Sequence, residues 1–228
     1  VPSGFLVGPT AGGSFTVADL NKIINQARAE ANLIRAAIRL PYKETARMVF
    51  AIGDINGNIL AVYRQSDSTV FSLDVAVTKA RNVTYFSGNS VATQDQVAMP
   101  VGTAVTNRTI SFGSQRFFPS GLDFTSPGPY RDVFTNDAAN PCTQGRAGGN
   151  ANHSGIVFFP GSVPLYKNGA LIGGLGVSGD GVEQDDLVAA AGAVSFEPLA
   201  SIRSDQYKIS DVRMPYLKYP RNPKNLGN

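Results

Sequence analysis

The chain carries one histidine, His153, and one cysteine, Cys142. Those two counts decide much of the chemistry open to it. A neutral imidazole is the commonest protein metal ligand and titrates near neutral pH, so His153 is the first candidate to hold a metal. A single cysteine excludes an internal disulfide and a thiolate zinc site. A Ser–His–Asp triad would have to use His153, and no G-x-S-x-G elbow is present. Pro141-Cys142-Thr143 offers no recognisable nucleophile context.

The second concentration of chemistry is residues 163–192, VPLYKNGALIGGLGVSGDGVEQDDLVAAAG. Glycines at 173, 174, 176 and 179 precede an acidic cluster of Asp180, Glu183, Asp185 and Asp186. Asp180 and Glu183 stand three apart, a spacing that puts two carboxylates on one helix face, where they can hold a hard cation. The same acids also suit the positive end of a helix dipole. The corner at 174–181, with Ser178 and Gly179, can present backbone N–H groups to an anion, or its glycines can simply let a strand and a helix pack closely. It matches neither a P-loop nor a dinucleotide fingerprint. Lys79 and Arg81 are a further pair of cations, free to reach ligand carboxylates or to stand as solvated helix charges. Asp54-Ile-Asn-Gly-Asn58 slightly resembles a calcium loop but lacks the later glutamate, so it reads as a hairpin turn.

The elements that must position these residues follow from period and punctuation. Thr16 with Asp19 three positions on forms a near capping box, and Val17, Leu20, Ile23, Ile24, Ala27, Ala31 and Ile34 keep a 3.6-residue period. That predicts a helix from Thr16 to about Leu40, ended by Pro41. RMVFAIGD (47–54) and NILAVYR (58–64) flank Asn56-Gly57, and Val163–Tyr166 precedes Asn168-Gly169, so two hairpins are expected. Further helices are expected over Val70–Phe86, over Thr93–Ala98, and from the acidic cluster to near Phe196. Ile156–Phe159 reads as a short strand, and residues 1–14 as an extended arm. The resulting order is an α+β domain with an antiparallel sheet of four or five strands and helices on its faces. Residues 99–155 hold five prolines and scattered aromatics, which predicts an ordered insertion over the core or a neighbouring subunit.

Of the 228 residues 43% are hydrophobic and 16% charged, enough apolar matter for one sizeable core and no sign of disorder. The net charge is +3, yet the tail from Ser201 alone carries six basic residues against two acidic ones. The basicity belongs to this Tyr/Pro-rich arm, not to a face of the body, which argues against a nucleic-acid partner. No apolar run approaches the roughly 20 residues that span a membrane. The start Val-Pro-Ser is that of a boundary or of a mature form whose leader was removed. With low charge and many Gly, Asn, Ser and Thr, it leads to an expectation of export, periplasmic or extracellular.

AIGDINGNILAVYR, then SLDVAVTKAR, then the 163–192 stretch, in that order, resemble the GlcG/HbpS-like family, which includes the C-terminal domain of PduO-type proteins. The positions that carry the resemblance are Asp54, Gly57, Arg64, Ser72, Asp74, Ala76, Lys79 and Ala80, then Gly176–Gly179, Gln184 and Asp185. The resemblance implies a profilin-like sandwich over residues 1–200, the insertion 99–155 and the arm 201–228 being additions. It also implies homo-oligomers and, in some members, heme or iron. Under it His153, Lys79, Arg81, Ser178 and Gly179 become candidates to bind heme, with Tyr63, Tyr85 and Tyr166 as substitutes for the imidazole. Asp180 and Glu183 become the candidate iron pair. The function it implies is non-catalytic binding of heme or a small ligand. Two other functions stay open: an assembly subunit that uses the insertion and the arm on a protein partner, and an enzyme acting on a tetrapyrrole or small oxidised metabolite.

Overall fold

The computed structural model describes residues 2–224; Val1 and the end of the expected arm, 225–228, lie outside the described residues. Five strands form one antiparallel sheet: β1 (Phe5–Val7), β2 (Val49–Asp54), β3 (Ile59–Arg64), β4 (Ser162–Lys167) and β5 (Ala170–Ser178). Their order across the sheet is β1-β3-β2-β5-β4. The fifth strand comes from the N-terminal arm, which pairs Phe5 with Tyr63 on β3. Both hairpins turn where Asn-Gly predicts them. Asn168 and Gly169 take positive φ, and the Asp54 carboxylate accepts from the backbone N–H groups of Asn56 and Asn58.

Every residue of β2 is buried because both faces of the sheet are covered. Phe50 and Ile52 point into a core with α1 (Val17–Ala31) and α5 (Val182–Gly192). Val49 and Ala51 point the other way, toward Ala76 and Ala80 of α2 (Ser72–Ser87). On that second face the fit is set by glycine. A Cβ on Gly176 would run into the Ala76 carbonyl oxygen, and one on Gly174 into that of Ala80. Strand β5 therefore lies directly under the backbone of α2, with no side-chain layer between them.

The expected insertion adds α3 (Asn107–Gly113) and α4 (Arg131–Ala139). Its apolar side chains, Ile110, Phe118, Tyr130 and Val133, form a second core against Tyr85 and Phe86 of α2. The C-terminal arm closes over it. Met214 lies fully buried in the insertion's core, and Thr106 and Thr109 donate to the carbonyls of Tyr216 and Pro215. Within the described residues the arm is thus laid along its own chain, through two short strands, β6 (Lys208–Ile209) and β7 (Val212–Arg213).

Four boundaries differ from expectation. Helix α1 keeps its Thr16–Asp19 capping box but stops at Ala31, not Leu40. Beyond Asn32 the backbone finds other partners: Ala46 N–H bonds to Ile34, Ala36 N–H to Glu44 and Ala37 N–H to Asp180. Ile34 keeps its buried place through a turn while Ile38 and Leu40 are exposed. Residues 156–159 form no strand, because the side-chain amides of Asn82 and Asn107 take both backbone groups of Val157. The expected helix over 93–98 is a single 3₁₀ turn, Thr93–Asp95. Helix α5 ends at Gly192, where the Gln26 amide caps the carbonyls of Ala191, Gly192 and Val194, while Phe196 turns back to accept from Tyr166 N–H.

Helices α2 and α5 are also joined through the interior by charge. Lys79, 0% exposed, donates to Asp185 at 3.1 Å and to the Val177 carbonyl at 2.7 Å. Beside it Asp186 pairs with Arg108 of α3 and accepts from the backbone of Gly161 and of Lys218 in the arm. Breaking a buried pair by removing one partner costs about 3–5 kcal/mol, so these contacts lock the insertion and arm to the domain. Burial pushes the Asp185 carboxyl up to about 7 against the pull of Lys79, and one of its oxygens has no partner.

Two predictions follow from these contacts. Gly176→Ala should lose about 1–3 kcal/mol through overpacking, whereas Gly148→Ala, with open space around it, should be near neutral; chemical denaturation checks both. Burial holds the Asp185 carboxyl protonated to a higher pH in the native state than in the unfolded chain, where it ionises near the ordinary aspartate value of 3.8. The native state therefore binds more protons across that window, and this group's contribution to stability falls as pH rises. The stability advantage of the wild type over Asp185→Asn should shrink between about pH 4 and pH 7 in thermal unfolding; an advantage that grows over the window refutes the assignment.

Candidate functional site

At the end of the sheet where both hairpins turn, a cleft of about 690 Å³ opens beside the C-terminal half of α2. Its volume lies in the range of small-molecule sites. The turn Ile55–Gly57 forms one wall, the turn Gly169–Leu171 another, and residues 144–153 of the insertion lie over it. The cover is pinned by amides: Asn152 donates to the Asn56 carbonyl at 3.0 Å and to the Asn58 side chain at 2.9 Å.

Two of the expected site residues meet here, His153 and Arg81. His153 is half-buried, and its Nδ1 is buried with no hydrogen-bond partner. Burial, reinforced by the charge of Arg81, holds the imidazole below its usual pKa, so it is neutral at neutral pH with a lone pair to give. Arg81 donates from Nε to the Gly57 carbonyl at 2.9 Å and from Nη1 to Ser154 at 3.1 Å. Among the described residues it has no carboxylate partner, and its pKa is lowered by burial. Among the described residues no Asp or Glu lines the cleft. The lining is therefore electropositive, which favours an anionic ligand.

The other five candidates lie elsewhere. Lys79 stands two residues from Arg81, about 200° round the helix, and so points inward to Asp185 instead of toward a ligand. Ser178 ends β5, and Gly179, Asp180 and Glu183 follow it, away from the turn with β4. Ser178 donates to Ser72 at the start of α2. Gly179 lies under the backbone of Arg47 and Met48, as a packing glycine does. Asp180 is taken by Arg39 and by the Arg47 N–H, and Glu183 by Lys218. Each acid of the expected iron pair thus has its own cation, and among the described residues no group of three or more His, Cys, Asp and Glu stands together to hold a metal. Of the substitute tyrosines, Tyr85 and Tyr166 line the cleft, while Tyr63 stacks on Phe50 in the α1/α5 core. Gln144 and Asn152 also line it and carried no signal of their own. Asn152 is placed by the Asn56-Gly57 turn, the one sequence motif that marked this wall, and Gln144 accepts from the Asn82 amide of α2.

The chain is similar to several known proteins. A curated 15.0 kDa protein of Citrobacter freundii, from the dhaT-dhaS intergenic region, is 27% identical over 152 residues, covering 67% of this chain and 78% of that protein. Among solved structures, Klebsiella pneumoniae ORFY, of the DUF336 family, superposes with a TM-score of 0.52 at 21% identity over 82% of this chain and 93% of that one. A complex of PduOC with heme matches over 80% of this chain and 94% of its own length, at 21% identity and a TM-score of 0.48. The α+β fold agrees with that of ORFY. The family model described as "Haem degrading protein HbpS-like" matches residues 15–194, which takes in all five helices and four of the five strands of the sheet, and the chain belongs to that family.

Proposed function

We propose that this protein binds heme in the cleft beside α2, with His153 as the axial ligand and Arg81 facing the ligand's carboxylates. The observation that carries this reading is the buried, unpartnered Nδ1 of the chain's single histidine, in a cleft large enough for a small molecule. Three features fit the group. The imidazole is neutral and so able to ligate iron; the neighbouring guanidinium lacks a carboxylate partner among the described residues; and no acid lines the walls to repel an anionic ligand. Family membership supports the choice of heme over other anions. Bound there, the iron would supply ligand-exchange and redox chemistry. The chain's own part is to hold the ring, to match its negative charge and to cover it with the Asn152-pinned segment.

The proposal is for binding, not turnover, in an exported homo-oligomer. Exposed apolar side chains such as Leu40, Val70, Phe71 and Phe124 are compatible with self-association. The assembly reading, in which the arm clasps a neighbour, draws less support, because Met214 and Tyr216 are buried against their own chain.

Titrating hemin into the pure protein should give a shifted Soret band and saturable binding, and His153→Ala should change the band's position and weaken binding by tenfold or more. A protein that leaves the hemin spectrum unchanged refutes the heme reading. A shift that survives intact in His153→Ala removes only the ligand assignment.

A further inference from the structure

Tyr166 is a buried polar residue among those lining the cleft. It sits on β4, the edge strand, where the register against β5 breaks between Leu165 and Tyr166. Such irregularities re-aim side chains and recur beside functional sites. Val163 and Leu165 face the α1/α5 core, while Tyr166 faces the other side and packs its ring with Ala104 and Tyr216. The residue is 5% exposed, and its hydroxyl is buried without a hydrogen-bond partner. Burial pushes the phenol up to about 12, so at neutral pH it carries its proton and is available as a donor.

A buried hydroxyl with no acceptor is costly, and phenols at buried positions normally find a partner. Tyr85, at the same cleft, shows the ordinary solution: its hydroxyl donates to Asp95 at 2.7 Å and accepts from Ala92 N–H. Tyr166 has no such neighbour. Its cleft also contains Arg81, a cation with no ion-pair partner among the described residues, and no acidic wall. A donor without an acceptor and a cation without a counter-ion, on one acid-free surface, are complementary to a ligand that brings acidic oxygens.

We propose that Tyr166 donates its hydroxyl hydrogen to a carboxylate oxygen of the bound tetrapyrrole, as a second acid-reading residue beside Arg81, so that the cleft selects its ligand by the carboxylates independently of iron. This rests on the placement of the ligand in the cleft argued above, but not on ligation by His153. It makes the free-acid form of the ring, with or without metal, the chemical class the site takes.

The test uses iron-free protoporphyrin IX and its dimethyl ester, followed by fluorescence, against wild type and Tyr166→Phe. The ring, and with it the packing on Ala104 and Tyr216, is kept, so the variant's melting temperature should stay level or rise. Protoporphyrin IX should bind Tyr166→Phe about tenfold more weakly, about 1.4 kcal/mol, while the ester binds weakly and equally to both proteins. Equal binding of the free acid to both proteins overturns the assignment, as does an equal loss for acid and ester, which marks a packing role. Wild type that fails to bind protoporphyrin IX also overturns it. A Tyr166-dependent affinity for protoporphyrin IX in a protein that gives no Soret response to hemin would sustain Tyr166 while removing the iron reading.

Discussion

The seating of α2 on the glycines of β5 is the constraint from which the rest follows. With no side chain at Gly174 and Gly176, the helix axis comes as close to the sheet as backbone allows, and its rotation is then fixed by Ala76 and Ala80 on the contact face. Once that rotation is set, Lys79 has to enter the interior and Arg81 has to leave it. The buried ammonium is tolerable because Asp185 of α5 and the Val177 carbonyl are both placed to accept from it. The outward cation becomes the wall of a cleft. A structural ion pair and a cleft-lining guanidinium thus arise two residues apart on one helix.

The same logic explains why the acidic cluster is a hub of ion pairs. Asp180, Asp185 and Asp186 are each buried, and each is matched to a cation from a different part of the chain: Arg39, Lys79 and Arg108. The three pairs bind the loop after α1, the central helix and the insertion to the start of α5. The carboxylates serve as attachment points for the segments that the small domain gathers around itself, and their charge is spent in doing so.

Local features were legible in the sequence. Asn56-Gly57 and Asn168-Gly169 marked the hairpins because both turns require backbone that few other residues adopt, and the Thr16–Asp19 box marked the first helix because its bonds span three residues. What stayed hidden depends on partners distant in the chain. Lys79 and Asp185 are 106 residues apart, and Arg108 and Asp186 are 78 apart, so nothing near either acid announces its cation. The early end of α1 and the missing strand at 156–159 have the same origin. Asn82 and Asn107 offer side-chain amides where a ladder was expected, and such competition is set by tertiary packing. For the site, the period of α2 separates Lys79 from Arg81, yet only the position of β5 says which of the two faces inward.

The arm has a kinetic meaning as well. Met214 completes the insertion's core, and the Pro223 carbonyl accepts from Arg35 N–H near the end of α1. Pairings between chain ends carry the largest loop-closure cost and slow folding. During synthesis the N-terminal half can assemble its helix and hairpin, but the insertion's core stays without its buried methionine until the arm has emerged. A chain clipped before Met214 would therefore leave the insertion's core open at the place that side chain fills.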